Sequence, residues 1–258
     1  MIQPLYGKKG LIVGVANEDS IAWGCAKSIY EQGAEVALTY LNDKTKSNVI
    51  ELSRQIDSSI CMPLDVTNDE QINAVFSRIQ DVWGHLDFLI HSVAFCPEQD
   101  LHRPVVECSS EGFHIAMDVS CYSLIRLTRA ATPLMFNGGS VIAMSYYGAN
   151  KVVTNYNIMG PVKAALEASA KYLAVDLGAK DIRVNIMSPG PIKTMAASGL
   201  SQFDELMIQA ANKAPLHQLV TLDQIGAMAA FLVSDGSKQV TGQIFYVDAG
   251  YNIMGNGG

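Results

Sequence analysis

A chain of 258 residues, 49% hydrophobic and 17% charged, has enough apolar material for one large α/β core and is too apolar to stay disordered. Its net charge of −7, with both signs interspersed, argues against nucleic acid as the main partner, since phosphate binding needs a basic surface. Five cysteines (Cys25, Cys61, Cys96, Cys108, Cys121) without CxxC spacing, and five histidines without HExxH or a Cys/His cluster, give no metal-ligand pattern. No signal-like N-terminus or membrane-length apolar run is present, so the expectation is a cytoplasmic protein with free thiols and no membrane partner.

The chain alternates short β-branched runs with helical periods. Residues 10–15 (GLIVGV) read as a strand, 21–32 as a helix broken by Gly33, and 35–40 (EVALTY) as the second strand. A polar helix at 44–55 precedes a strand at 60–66 (ICMPLDV), and a helix at 68–82 precedes LDFLIHSVAF at 86–95. After a Pro-containing loop come a long helix at 111–131, a strand at 140–146 (SVIAMSY) and a helix at 159–177. The strand IRVNIMSP, a less apolar loop with a short helix, the helical TLDQIGAMAAFLV and the strand QIFYVDAG complete the series. Uninterrupted apolar strands are buried on both faces, and strand–helix alternation implies a parallel sheet with right-handed crossovers. The fold class is α/β: a single-domain, doubly wound (Rossmann-type) sheet of seven strands over 1–258. Residues 191–214 form a loop and lid, and 255–258 (GNGG being the last four residues) are a loose tail.

Ligands of such sheets lie beyond the C-terminal strand ends, at the switch point. The first turn is GVANEDSIAWG. Without GxGxxG, it still places Gly14 at the strand end for close backbone approach, Ser20 at the helix cap and Gly24 one turn inside, for close helix–strand packing. A plain reading makes these a cap and turn residues only. Other strand ends carry small, polar or Pro/Gly residues: Asp65-Val66, Ser92-Val93-Ala94 and the stretch from Ser188 to Ile192. Tyr40-Leu41-Asn42-Asp43-Lys44 ends the second strand with a nearby acid and no arginine, which favours NADH over NADPH.

Residues 145–163 (SYYGANKVVTNYNIMGPVK) hold two tyrosine–lysine spacings. Tyr147 and Lys151 would share a helix face, but Gly148 and Asn150 make a turn there. Lys163 lies on an apolar-striped helix whose start Pro161 restricts, so Tyr156 sits at or just before the first turn. Along the axis the two are then about 10 Å apart, suited to a lysine that holds a ribose while the tyrosine reaches the reacting carbon.

Together, GVANEDSIAWG, TYLNDK, LDV, HSVAF, SYYGA, NYNIMGPVKAALEA and SPGPIKTMAASG resemble the short-chain dehydrogenase/reductase superfamily. Within it they are similar to its Tyr-x6-Lys branch, the NADH-dependent enoyl-acyl-carrier-protein reductases of bacterial fatty acid synthesis. The resemblance implies hydride transfer from NADH to the β-carbon of a trans-2-enoyl thioester on acyl carrier protein. It makes Tyr156 the donor to the enolate oxygen, Lys163 the holder of the nicotinamide ribose and Tyr146 a second active-site tyrosine. The cofactor is expected along Gly14, Ser20, Ile21, Leu41, Asp65, Val66, Val93, Ile192, Lys193, Thr194, Met195 and Ala196. Cys96 falls at a substrate contact, and Met159, Phe203 and Met207 are acyl-pocket or lid residues or else ordinary core. The family pattern also implies a homotetramer, with the helices at 111–131 and 159–177 between subunits.

Two positions depart from that pattern: Leu41 stands where many relatives have Gln, and the lid helix begins with acidic Asp204 and Glu205, which would repel an acidic carrier. Docking would then use Lys151, Lys193 or Lys213. Another short-chain oxidoreductase acting on a carbonyl would need Tyr-x3-Lys with a serine about thirteen residues before the tyrosine, but positions 134 and 143 are Leu and Ala. A non-enzymatic NAD-binding sensor would be expected to lose the Tyr or the Lys.

Overall fold

The computed structural model describes residues 3–194 and 203–255. Seven parallel strands, β1 (Lys9–Val13), β2 (Glu35–Tyr40), β3 (Cys61–Pro63), β4 (Phe88–His91), β5 (Gly139–Met144), β6 (Ile182–Pro189) and β7 (Ile244–Val247), lie in the order β3-β2-β1-β4-β5-β6-β7. The helices are α1 (Ile21–Glu31), α2 (Asp43–Gln55), α3 (Asp69–Trp83), α4 (Glu98–Leu101), α5 (Ser110–Met117), α6 (Ser123–Ala131), α7 (Met159–Gly178), α8 (Phe203–Lys213) and α9 (Leu222–Val233). The chain runs outward from β1 to β3, then returns to lay β4 against β1, so the crevice beyond β1 and β4 is the switch point.

The side-chain period of two explains why apolar runs suit these strands. In β1, Leu11 and Val13 enter the core with Val75, Leu124, Val162 and Leu166. Ile12 faces the opposite layer, with Trp23, Ile29, Ile225 and Leu232. In that second layer α1 and α9 touch at two glycines. A Cβ on Gly24 would lie 2.9 Å from Leu222, and one on Gly226 would lie 2.4 Å from the Gly24 carbonyl. Gly24 thus serves helix–helix packing, where the sequence suggested helix–strand packing.

Several elements are shorter than their apolar runs. β1 stops at Val13 because Gly14, at φ +111°, turns the chain out of the sheet. β3 is an edge strand ending at Pro63, and the Asp65 amide donates to Gln71 Oε1 at 2.7 Å. β4 stops at His91, although Ser92 still donates its amide to the Val13 carbonyl at 3.0 Å. The helix expected over 111–131 is α5 and α6 joined by one π-helical turn, Asp118–Tyr122. There Ser120 Oγ accepts from the Phe95 amide (2.9 Å) and donates to the Phe95 carbonyl (3.0 Å), pinning the segment that follows β4. The short α4 in the Pro-containing loop was not anticipated. Asn42, at the end of β2, caps α2 by accepting from the Lys44 and Thr45 amides at 3.0 and 3.3 Å. No helix among the described residues is long and apolar enough to cross a membrane.

Candidate active site

The first turn is closely packed where the chain leaves the sheet. A Cβ on Gly14 would meet the Ser92 carbonyl oxygen at 2.0 Å, so β1 and β4 approach each other closely where the chain leaves the sheet. Ser20 occupies the N-cap position of α1, but its hydroxyl turns away from the helix. It accepts from the Ala16 and Asn17 amides at 3.0 and 3.1 Å and donates to Asn17 Oδ1 at 3.1 Å. This corrects the expected cap: Ser20 shapes the loop and leaves the first amides of α1 without a side-chain cap. Free N-terminal amides and the positive dipole end suit a pyrophosphate. Ile21 opens that helix, half-buried.

Farther along the sheet edge, Asp65 Oδ1 accepts from the Thr67 amide (2.9 Å) and hydroxyl (2.7 Å), closing its own turn. Val66 is buried, Val93 half-buried and Leu41 57% exposed. After β6, Ile192 and Thr194 are half-buried, whereas exposed Lys193 pairs with Asp204 of α8 at 3.1 Å. Met195 and Ala196 lie outside the described residues. Among the described residues, no group of three or more His, Cys, Asp and Glu side chains is placed to hold a metal ion.

The tyrosines converge beyond β5. Tyr146 follows the strand in extended conformation, ahead of a one-turn 3-10 helix, Tyr147–Ala149. Tyr156 lies three residues before α7, between Asn155 (φ +66°) and Asn157 (φ +44°). Asparagine tolerates left-handed backbone, and Asn157 Nδ2 fastens this pinch by donating to the Leu101 carbonyl at 2.7 Å. The Tyr156 ring is thereby buried edge-on against Tyr146, with centroids 4.9 Å apart at 63°. The Tyr146 hydroxyl is buried with no hydrogen-bond partner among the described residues. Burial pushes both phenols above their usual pKa, so each remains a protonated donor at neutral pH.

Lys163, one turn into α7, is 5% exposed and donates from Nζ to the Met144 carbonyl at 2.7 Å. Desolvation brings its pKa down to about 8. One acceptor leaves further donors on the ammonium, which fits ribose hydroxyls. By contrast, Lys151 is exposed and the Tyr147 ring packs 5.4 Å from Tyr251, so Tyr-x3-Lys does not build this centre. A shallow crevice open to solvent is lined by Tyr146, Val153, Thr154, Asn155, Tyr156, Phe203 and Leu206. Phe203 therefore reaches the site. Cys96 and Met159 lie in the core beside it, and half-buried Met207 is not among the lining residues. Leu206 and Val153 were missed from the sequence. The Asn-Tyr-Asn triplet was the available signal for the pinch.

His91, at the end of β4, is fully buried; its Nε2 donates to Ser123 Oγ at 2.7 Å, and Ser123 donates onward to the Val119 carbonyl at 2.6 Å. Burial, and secondarily the Lys163 charge, lower its pKa to about 3. The unfolded chain takes up this proton near pH 6.5, so the stability of neutral His91 is present above that pH and is lost as pH falls toward 3. Urea unfolding should show roughly 2 kcal/mol less stability at pH 5 than at pH 7 from this group, and a His91→Gln variant should lack that contribution.

A family model described as Enoyl-(Acyl carrier protein) reductase matches residues 14–252. A curated enoyl-acyl-carrier-protein reductase (NADH) of Rickettsia prowazekii is 48% identical over 252 residues, covering 98% of this chain and 97% of its own. The crystal structure of an enoyl-acyl-carrier-protein reductase from Anaplasma phagocytophilum, in complex with NAD, superposes with a TM-score of 0.94 at 46% identity, covering 98% and 97% of the two chains. The Bacillus cereus enoyl-acyl-carrier-protein reductase with NADP+ and an indole naphthyridinone gives 0.96 at 41%, covering 98% and 99%. Fold and near-full-length identity agree: the chain belongs to the enoyl-acyl-carrier-protein reductase family.

Proposed function

We propose that the chain reduces the trans-2 double bond of enoyl thioesters on acyl carrier protein, using NADH. The observation that carries the reading is the buried, protonated Tyr156 phenol at the crevice wall, with Tyr146 against it and the Lys163 ammonium held at the Met144 carbonyl at the end of β5. When bound, NADH supplies the hydride to the β-carbon. Tyr156 donates a hydrogen bond to the thioester oxygen, where negative charge develops, and its preorganised donor favours the transition state. Tyr146 offers its unpartnered hydroxyl beside it, and Phe203 screens the crevice from α8. Lys163 orients the cofactor through the ribose. Gly14, Ile21, the loop shaped by Ser20, Asp65, Val66, Val93, Ile192 and Thr194 line its path.

NADH suits the end of β2: no arginine is there for a 2′-phosphate, and Asn42 is engaged in capping α2. Lys193 is paired with Asp204, so docking of the acidic carrier falls to exposed Lys151 and Lys213. Exposed Tyr172 and Val175 on α7, with Phe113 and Tyr122 near it in the chain's helical layer, support an interface between copies of the chain, which the proposal takes to be that of a cytoplasmic homotetramer. Light scattering showing four chains per particle would bear out the assembly.

Incubation with NADH and a crotonyl thioester tests the reaction: mass spectrometry should find the saturated butyryl thioester, and an unchanged substrate sinks the proposal. Cofactor affinity tests Lys163. Its charged form prevails below pH 8, so NADH affinity, followed by fluorescence, should hold below that value and weaken by up to about tenfold per unit above it. A flat profile through pH 9 would contradict the assignment.

A further inference from the structure

Helix α7 buries two side chains of opposite charge one turn apart, Lys163 and Glu167, each 5% exposed. Residues spaced four apart share a helix face, and this face is fastened to consecutive residues at the end of β5. Lys163 Nζ donates to the Met144 carbonyl at 2.7 Å, and Ser145 Oγ donates to Glu167 Oε1 at 2.6 Å. The other carboxylate oxygen, Oε2, accepts from Asn150 Nδ2 at 3.1 Å, and the same amide nitrogen donates to the Tyr246 hydroxyl at 2.9 Å. One carboxylate thus closes residues 145–150 at both ends, and Tyr146 rides on that loop against Tyr156. Two acceptor oxygens are needed; a glutamine supplies one acceptor and a donor.

We propose that Glu167 is a positioning residue of the active site, whose carboxylate ties the 145–150 segment to α7 and offsets the buried charge of Lys163. The proposal rests on the reading that Lys163 serves the cofactor. The titratable groups electrostatically coupled to the Lys163 ammonium are Glu167 on its own helix, Cys121 in the π-helical turn and His91 on β4. Burial holds His91 neutral and pushes the Cys121 thiol up. Burial raises the Glu167 carboxyl, while Ser145, Lys171, Asn150 and Lys163 act in the opposite direction. The same negative charge helps keep Tyr156 protonated, after burial and Tyr146.

The test is the pH profile of kcat and kcat/KM for NADH, with a crotonyl thioester, in the full chain. E167Q should lower kcat about tenfold and move the alkaline limb of kcat/KM down by about one unit. E167D restores the charge and should return the limb. S145A keeps the charge but loses one tie, so kcat should fall while the limb stays; this variant serves if E167Q does not fold. An unmoved limb in folded E167Q, or unchanged kcat in S145A, overturns the proposal. K163M separates the two layers. If the limb persists in K163M, the cofactor role of Lys163 falls and takes the proposal with it. If it vanishes there yet does not move in E167Q, the role of Glu167 alone falls.

Discussion

Replacing Tyr156 with phenylalanine is expected to lower kcat on an enoyl thioester by about 10²–10³-fold, the usual loss for a preorganised oxyanion donor. The dissociation constant for NADH should be nearly unchanged. The substitution keeps the ring, so the edge-on packing against Tyr146 and the Asn155–Asn157 pinch remain. What disappears is a hydroxyl whose high pKa, caused first by burial, keeps its proton available. Since that bond strengthens as charge moves onto the thioester oxygen, the loss belongs to kcat more than to cofactor binding. Tyr147→Phe is the control: its ring packs against Tyr251 outside the crevice lining, and activity should stay within a few-fold of wild type. Equal losses in the two variants would move the catalytic role off Tyr156.

Gly14→Ala is expected to cost roughly 3 kcal/mol or more in stability and to abolish tight NADH binding. Two penalties coincide at this position. The backbone is at φ +111°, which L side chains rarely adopt, and the new methyl would stand 2.0 Å from the Ser92 carbonyl oxygen. That oxygen belongs to backbone at the end of a central strand, so relief would require β1 and β4 to part at the switch point. Gly178→Ala, near the end of α7 with open space around the added Cβ, should leave both properties intact. Urea midpoints and NADH titrations of the pair check this. A Gly14→Ala protein with wild-type midpoint would refute the close approach.

The sheet was legible because its strands are buried on both faces. Runs such as EVALTY and IRVNIMSP coincide with β2 and β6 to the residue. Strand ends were less legible, since apolar residues continue past the last ladder bond into the core: Leu64 and Val66 are buried beyond β3. The local Tyr-x6-Lys spacing and the turn at 147–149 could be read from short stretches, so Tyr156 and Lys163 were placed correctly at the head of α7. Ser20 was misread because a serine before a helix caps it more often than it turns back into its own loop. Gly24 was assigned to helix–strand packing because its true neighbours, Leu222 and Gly226, are some two hundred residues away in sequence. The same long-range assembly hid the Glu167 carboxylate: Ser145, Asn150 and Tyr246 reach it only after β5, α7 and β7 have packed.

The most direct test of the account is parallel NADH oxidation with crotonyl and acetoacetyl thioesters on the same purified protein. A phenol donor placed for a thioester oxygen, in a chain without the Tyr-x3-Lys centre of the carbonyl reductases, predicts NADH consumption with the crotonyl substrate and none above background with the ketone. Reduction of the acetoacetyl thioester alone would contradict it.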